Sequence, residues 1–166
     1  MCDTMPMKAL IESEALKVKP SKKYIAANTK SAKTLEELSR DTNWSVRYWV
    51  ASNQNCPVEI LEKLSKDSNY YVRCNVALNP NCPAEILEKL SNDSYCNVRL
   101  NVASNPNCPV EILEKLSNDS NYSVRRNVAY NPNCPVRLLK KLSKDSDSDV
   151  RYYANQGLNR IRSAQS

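Results

Sequence analysis

Cysteines recur at a fixed interval: Cys56, Cys82, Cys108 and Cys134 stand 26 residues apart. Thiols could ligate metal, form disulfides or act as nucleophiles, so their spacing is the first thing to test. Equivalent positions in stacked helical units lie about 8–10 Å apart, whereas a disulfide needs Cα atoms within roughly 7 Å and a shared zinc needs sulfurs about 2.3 Å from one metal. A ladder of equivalent positions satisfies neither. Cys2, Cys74 and Cys96 form no C-x-x-C pair, and the chain has no histidine, so the thiols are read as reduced and buried. Paired glutamates, the other chemistry-bearing group, recur beside lysines as Glu59/Glu62/Lys63, Glu85/Glu88/Lys89 and Glu111/Glu114/Lys115. Repetition in register is how a solvated face looks, whereas acid–base catalysis needs one poised site. No glycine-rich phosphate loop is present. These observations point away from an enzyme, a cofactor and a small-molecule substrate.

The elements that carry these residues repeat with them. Val-Arg opens each unit at Val46-Arg47, Val72-Arg73, Val98-Arg99, Val124-Arg125 and Val150-Arg151, and Asn-x-Asn-Cys-Pro returns from Asn53, Asn79, Asn105 and Asn131. A period of this length marks a solenoid. A single glycine, Gly157, among 166 residues argues against turn-rich β architecture. Ile86, Leu87 and Leu90 share one helical face, with proline at the start and Glu85 in the first turn. A second, shorter helix buries Val72, Val76 and Ala77. Ser45, Asn97, Ser123 and Asp149 are its expected N-caps, with Tyr71 an exception. Asn79-Pro80 ends it, asparagine tolerating a left-handed cap; about two turns remain, short enough for 3₁₀ or mixed geometry.

The expected fold is therefore all-α, an α-solenoid of about five 26-residue two-helix repeats with an N-terminal capping helix. Residues 1–21 form that helix and a linker, 22–157 the repeats, and 158–166 a basic C-terminal tail. Ser21 to Asp41 is a degenerate first repeat. No apolar run approaches the roughly 18 residues of a membrane span, and the N-terminus lacks a signal peptide's apolar core, so a cytoplasmic protein without membrane partners is expected.

The pattern V-R-x-x-V-A-x-N-P-N-C-P-x-E-x-L-x-x-L-x-x-D, carried over residues 22–157, resembles the leucine-rich repeat variant family, which is distantly HEAT-like. The unit here is slightly longer than the family's usual one. The resemblance implies a right-handed superhelix of alternating α- and 3₁₀-helices and no activity. Some members hold an iron–sulfur centre on an N-terminal cysteine cluster, but only Cys2 precedes the repeats here, so that feature is not carried over. HEAT-like repeats also use an Asp/Arg ladder. Asp41, Asp67, Asp93, Asp119 and Asp145 each precede an arginine of the Val-Arg pair by six residues, so those arginines are expected to be structural, against the competing reading of a nucleic-acid stripe.

Function is sought where the copies differ. Net charge is +6 overall, with +3 over residues 1–40, −1 over 41–134 and +4 over 135–166. The last repeat replaces glutamates with bases, making Arg126, Arg137, Lys140, Lys141, Lys144, Arg160 and Arg162 a candidate basic patch. On the second helices Tyr48, Trp49, Asn75, Leu78, Asn101, Tyr130, Tyr152 and Tyr153 form a candidate contact face, aromatic anchors included. Trp44, Tyr70 and Tyr122 form a second aromatic column, expected to stack at the inter-helix corner. The reading is a non-enzymatic scaffold that binds a protein, one with an acidic surface if the basic patch is used. A nucleic-acid-binding HEAT-like solenoid is the alternative.

Overall fold

A computed structural model describes residues 19–163, which hold eleven α-helices and no strand. The proposed N-terminal capping helix lies outside the described residues. Five first-type helices of seven residues each, α2 (Ala32–Leu38), α4 (Val58–Leu64), α6 (Ala84–Leu90), α8 (Val110–Leu116) and α10 (Val136–Leu142), alternate with second-type helices. The second type comprises α1 (Lys22–Asn28), α3 (Trp44–Ser52), α5 (Tyr70–Leu78), α7 (Cys96–Ser104), α9 (Tyr122–Tyr130) and α11 (Ser148–Ser163). The repeat at residues 21–41 is real: α1 and α2 bury Ala26 and Leu35 completely.

None of the helices before α11 exceeds nine residues, too short to persist alone, so stacking makes the core. Ile86, Leu87 and Leu90, and their equivalents in each repeat, meet Val72, Val76 and Ala77 and theirs in one continuous apolar cluster. The four cysteines of the ladder are part of it. Burial pushes each of those thiols up to about 12, which leaves them protonated and unreactive at neutral pH. Second helices pack side by side along the stack, while first helices meet mainly the second helices flanking them.

Three local expectations need correction. Second helices begin two residues before the Val-Arg pair, so the caps are Asn43, Asn69 and Asn121, whose side chains accept from the N–H of Ser45, Tyr71 and Ser123. Ser45, Asn97 and Ser123 lie inside the helices, as does Asp149 in α11, and Tyr71 breaks no rule. From α3 onward the second helices are also the longer, and all are α-helical, with no 3₁₀ segment among the described residues. Nor do asparagines 53, 79, 105 and 131 adopt left-handed caps. They are extended or nearly so, with negative φ.

These asparagines have another task. Each is buried, and its amide donates to two carbonyls of the preceding repeat. Asn105 Nδ2 reaches Ala77 O at 2.7 Å and Asn79 O at 3.2 Å, while its Oδ1 accepts from Asn107 N–H at 2.8 Å. Asn53, Asn79 and Asn131 repeat the arrangement. The last repeat has Gly157 where this asparagine would stand and Leu158 in place of proline, so α11 continues to Ser163. A side chain at 157 would crowd Leu139, whose methyls lie 2.9 and 3.0 Å from an ideal Cβ. Leu158 and Ile161 then pack onto the core. Residues 158–163 are therefore a helical cap to the stack's end, where the spacing of the repeats suggests a tail.

Candidate partner-binding surface

The rungs that hold the second helices in register are ionic. Arg47, Arg73, Arg99 and Arg125 each clamp the aspartate 20 residues ahead, in the next repeat. Nε and Nη2 donate to the two carboxylate oxygens of Asp67, Asp93, Asp119 and Asp145 at 2.5–3.0 Å. Nη1 instead donates to the backbone carbonyl of the aspartate six residues behind. The ladder is thus present, but the carboxylate partner comes from the following repeat. Lys22 supplies the first rung to Asp41 at 2.7 Å. Arg151, on the last repeat, holds the carbonyls of Asp145 and Ser146 and has no carboxylate partner among the described residues.

Burial alone would raise the carboxyls of Asp67, Asp93 and Asp119. The clamping arginine and a backbone N–H outweigh it and hold them below the ordinary aspartate range. At Asp145 the Arg125 contact dominates and acts in the same direction. Such a carboxyl binds protons more readily in the unfolded chain. Its contribution to stability is therefore complete above the unfolded value of about 3.9 and is lost as pH falls through the lower folded value. Thermal unfolding scans should show a melting temperature nearly constant from about pH 8 to 5 and falling steeply below about pH 4. A midpoint unmoved down to about pH 2.5 would count against the ladder's contribution.

With these arginines engaged, the second-helix face is left to the variable residues. At its N-terminal half, six aromatic rings touch in sequence. Trp49 meets Tyr48 edge-on at 5.2 Å between centroids, Tyr48 meets Trp44 at 6.4 Å, and Trp44 stacks on Tyr71 at 5.5 Å. Tyr71 adjoins Tyr70 at 4.1 Å, and Tyr70 stacks on Tyr95 at 4.6 Å, the two rings nearly parallel. Arg73 lies 5.6 Å over the Tyr95 ring. Trp44, Trp49, Tyr71 and Tyr95 are exposed. A depression of about 300 Å³ beside them is lined in part by Tyr48, Asn75, Leu78, Leu100 and Asn101.

The candidate contact residues therefore fall into two groups. Tyr48, Asn75, Leu78 and Asn101 share that depression, while Trp49 touches Tyr48 but lines a separate one with Ala27, Asn28 and Ser52. Tyr130, Tyr152 and Tyr153 cluster on α9 and α11, where Tyr130 and Tyr153 meet edge to face at 5.7 Å. Sequence reasoning missed Tyr71 and Tyr95 as members of the run. The departure itself was visible, since Tyr95 stands where three other repeats carry a capping asparagine and makes no side-chain cap, but the ring contacts that join the run cross between repeats.

The candidate basic patch also divides. Arg137, Lys140 and Lys141 lie on α10, a first helix. There Arg137 pairs with Glu114, and Lys141 donates to Ser117 Oγ and Asn118 Oδ1. These contacts continue a cross-repeat stitching also made by Lys63 with Glu36 and Lys115 with Ser91. Lys144 follows at the corner after α10, and Arg162 lies on the α11 side that carries Arg151, by helical period. Arg126 and Arg160 alone of the seven border the tyrosines of the second-helix face. The seven bases are therefore not one patch.

Helical units stacked in register, rung by rung, define an α-solenoid. The leucine rich repeat variant family model matches residues 70–94 and 97–121, two of the repeats. A solved structure described as a leucine-rich repeat variant with a novel repetitive structural motif is 22% identical, with a TM-score of 0.42, and the match covers 92% of this chain and 72% of that one. An engineered protein of known crystal structure is 20% identical, with a TM-score of 0.47, covering 86% and 87% respectively. No curated protein matches the chain. Among the described residues no helix is long and apolar enough to cross a membrane.

Proposed function

We propose that the chain is a non-enzymatic scaffold that binds another protein through its second-helix face. The observation that carries this reading is the exposed aromatic run from Trp49 to Tyr95, at positions that vary between repeats whose core residues are near copies. Exposed tryptophan and tyrosine on a rigid helical surface supply contact area at little entropic cost. A cytoplasmic setting belongs to the same reading. The test is affinity purification from native lysate, treated or not with nuclease, using the full chain and a Trp49→Ala/Tyr71→Ala variant. A discrete protein that survives nuclease and is lost with the variant, at unchanged melting temperature, is the expected result. Retention by the variant would remove the face from the interaction.

Nucleic acid is the second reading, favoured by Arg126 and Arg160 beside three tyrosines, a combination that suits phosphates and stacked bases. It requires binding that weakens steeply with salt as counterions are released.

A further inference from the structure

Among the described residues most arginines are engaged. Four ladder arginines hold aspartates, Arg137 holds Glu114, and Lys141 holds Ser117 and Asn118. Among the described residues the side chains of Arg126 and Arg160 make neither an ion pair nor a hydrogen bond, and they flank the Tyr130–Tyr153 pair. Arg160 lines a depression of about 360 Å³ with Tyr130, Tyr152, Tyr153, Gln156 and Gly157. Arg126 lines the adjoining one, about 310 Å³, with Asn127, Tyr130 and Tyr153. Two guanidinium forks on either side of phenol rings form a cradle for carboxylates, since arginine takes a carboxylate through two parallel hydrogen bonds and tyrosine hydroxyls add donors.

We propose that this cradle seats the acidic residues of an extended protein segment lying along the second-helix face. The proposal rests on the protein-binding reading above and adds the ligand's chemistry and direction. Beyond the cradle the face turns neutral and apolar, through Leu100 and Leu78 to the aromatic run, with the amides of Asn75 and Asn101 beside it. A nucleic-acid strand carries a phosphate at every nucleotide and would need cations along that whole path. A peptide needs them only where its carboxylates fall, and its apolar side chains match the remainder. From α5 to α11 are three helix-to-helix spacings, roughly 27 Å at about 9 Å each, which an extended segment covers in about eight residues.

The test displays a library of random peptides, about twelve residues long, to the immobilised full chain, alongside fluorescein-labelled oligothymidine of similar length. Retained peptides should be enriched in Asp and Glu beside apolar residues. An enriched peptide should bind an Arg126→Glu/Arg160→Glu variant about 100-fold more weakly, at tenfold for each arginine–carboxylate pair removed. The variant should keep its melting temperature, because neither side chain makes an ion pair or a hydrogen bond in the described fold. Retained peptides without acidic preference, or equal binding to the variant, overturn the proposal. If such peptides still depend on Trp49 and Tyr71, the scaffold reading survives. Retention of no peptide overturns both. Oligothymidine binding more tightly than any peptide, and lost in the same variant, overturns the proposal in favour of nucleic acid.

Discussion

Replacing Arg99 with alanine is expected to destabilise the solenoid by about 3 kcal/mol, the low end for breaking a buried pair because the arginine side chain keeps 16% of its exposure. The loss has two parts. Asp119, with 7% side-chain exposure, keeps a carboxylate that only the Asn121 N–H still supports. The carbonyls of Asp93 and Ser94 lose their donor. With about 3 °C per kcal/mol for a chain of this size, the thermal midpoint should fall by roughly 9 °C. Arg151→Ala is the internal control, since that arginine makes the carbonyl contacts but clamps no carboxylate. Its loss should be near 1 kcal/mol. Equal destabilisation by the two substitutions would show that the cross-repeat clamp contributes nothing.

Asn105→Ala should cost a similar amount or more. The side chain is fully buried, and truncation strands the Ala77 carbonyl and the N–H of Asn107 and leaves the Asn79 carbonyl with the Cys82 N–H alone. Each stranded group costs on the order of 1–3 kcal/mol, and water has little access to replace the amide. A total of about 4 kcal/mol is expected by urea unfolding at neutral pH. Asn105→Asp is a sharper version, because it keeps the shape while replacing the donating amide with an anion facing two carbonyl oxygens. If Asn105→Asp unfolds at the wild-type urea concentration, the asparagine ladder does not hold the repeats together.

Much of the fold was legible in the sequence because it depends on local periodicity. The Ile-Leu-x-x-Leu stripe and the Val-x-x-x-Val-Ala stripe each have one way to be buried, and copies in register must stack. The degenerate repeat at 21–41 could be recognised from Leu35 and Ala26 for the same reason. Less local features were misjudged. Asn53, Asn79, Asn105 and Asn131 sit before a turn, where asparagine is favoured for its own backbone freedom, so their reach into the preceding repeat went unseen. Arg99 was correctly assigned to a ladder, yet its carboxylate partner lies 20 residues ahead, at Asp119, and the aspartate six residues behind offers only a carbonyl.

The candidate surface divides in the same way. Variation between copies identified Tyr48, Trp49, Tyr130 and Tyr153, because a repeat pattern shows where packing ceases to dictate the residue. It could not show that Tyr71 and Tyr95 join the aromatic run, since their contacts cross from one repeat to the next. Nor could it separate Arg126 and Arg160 from Arg137 and Lys141, which are close in sequence but lie on different helix faces, the latter two already paired. The repeat unit, its helices and its buried stripes all follow from spacing within one unit, and so could be read from the residues alone. Which polar groups are engaged between units, and which remain free, depends on what the neighbouring repeat brings within hydrogen-bond distance, and only the folded stack decides that.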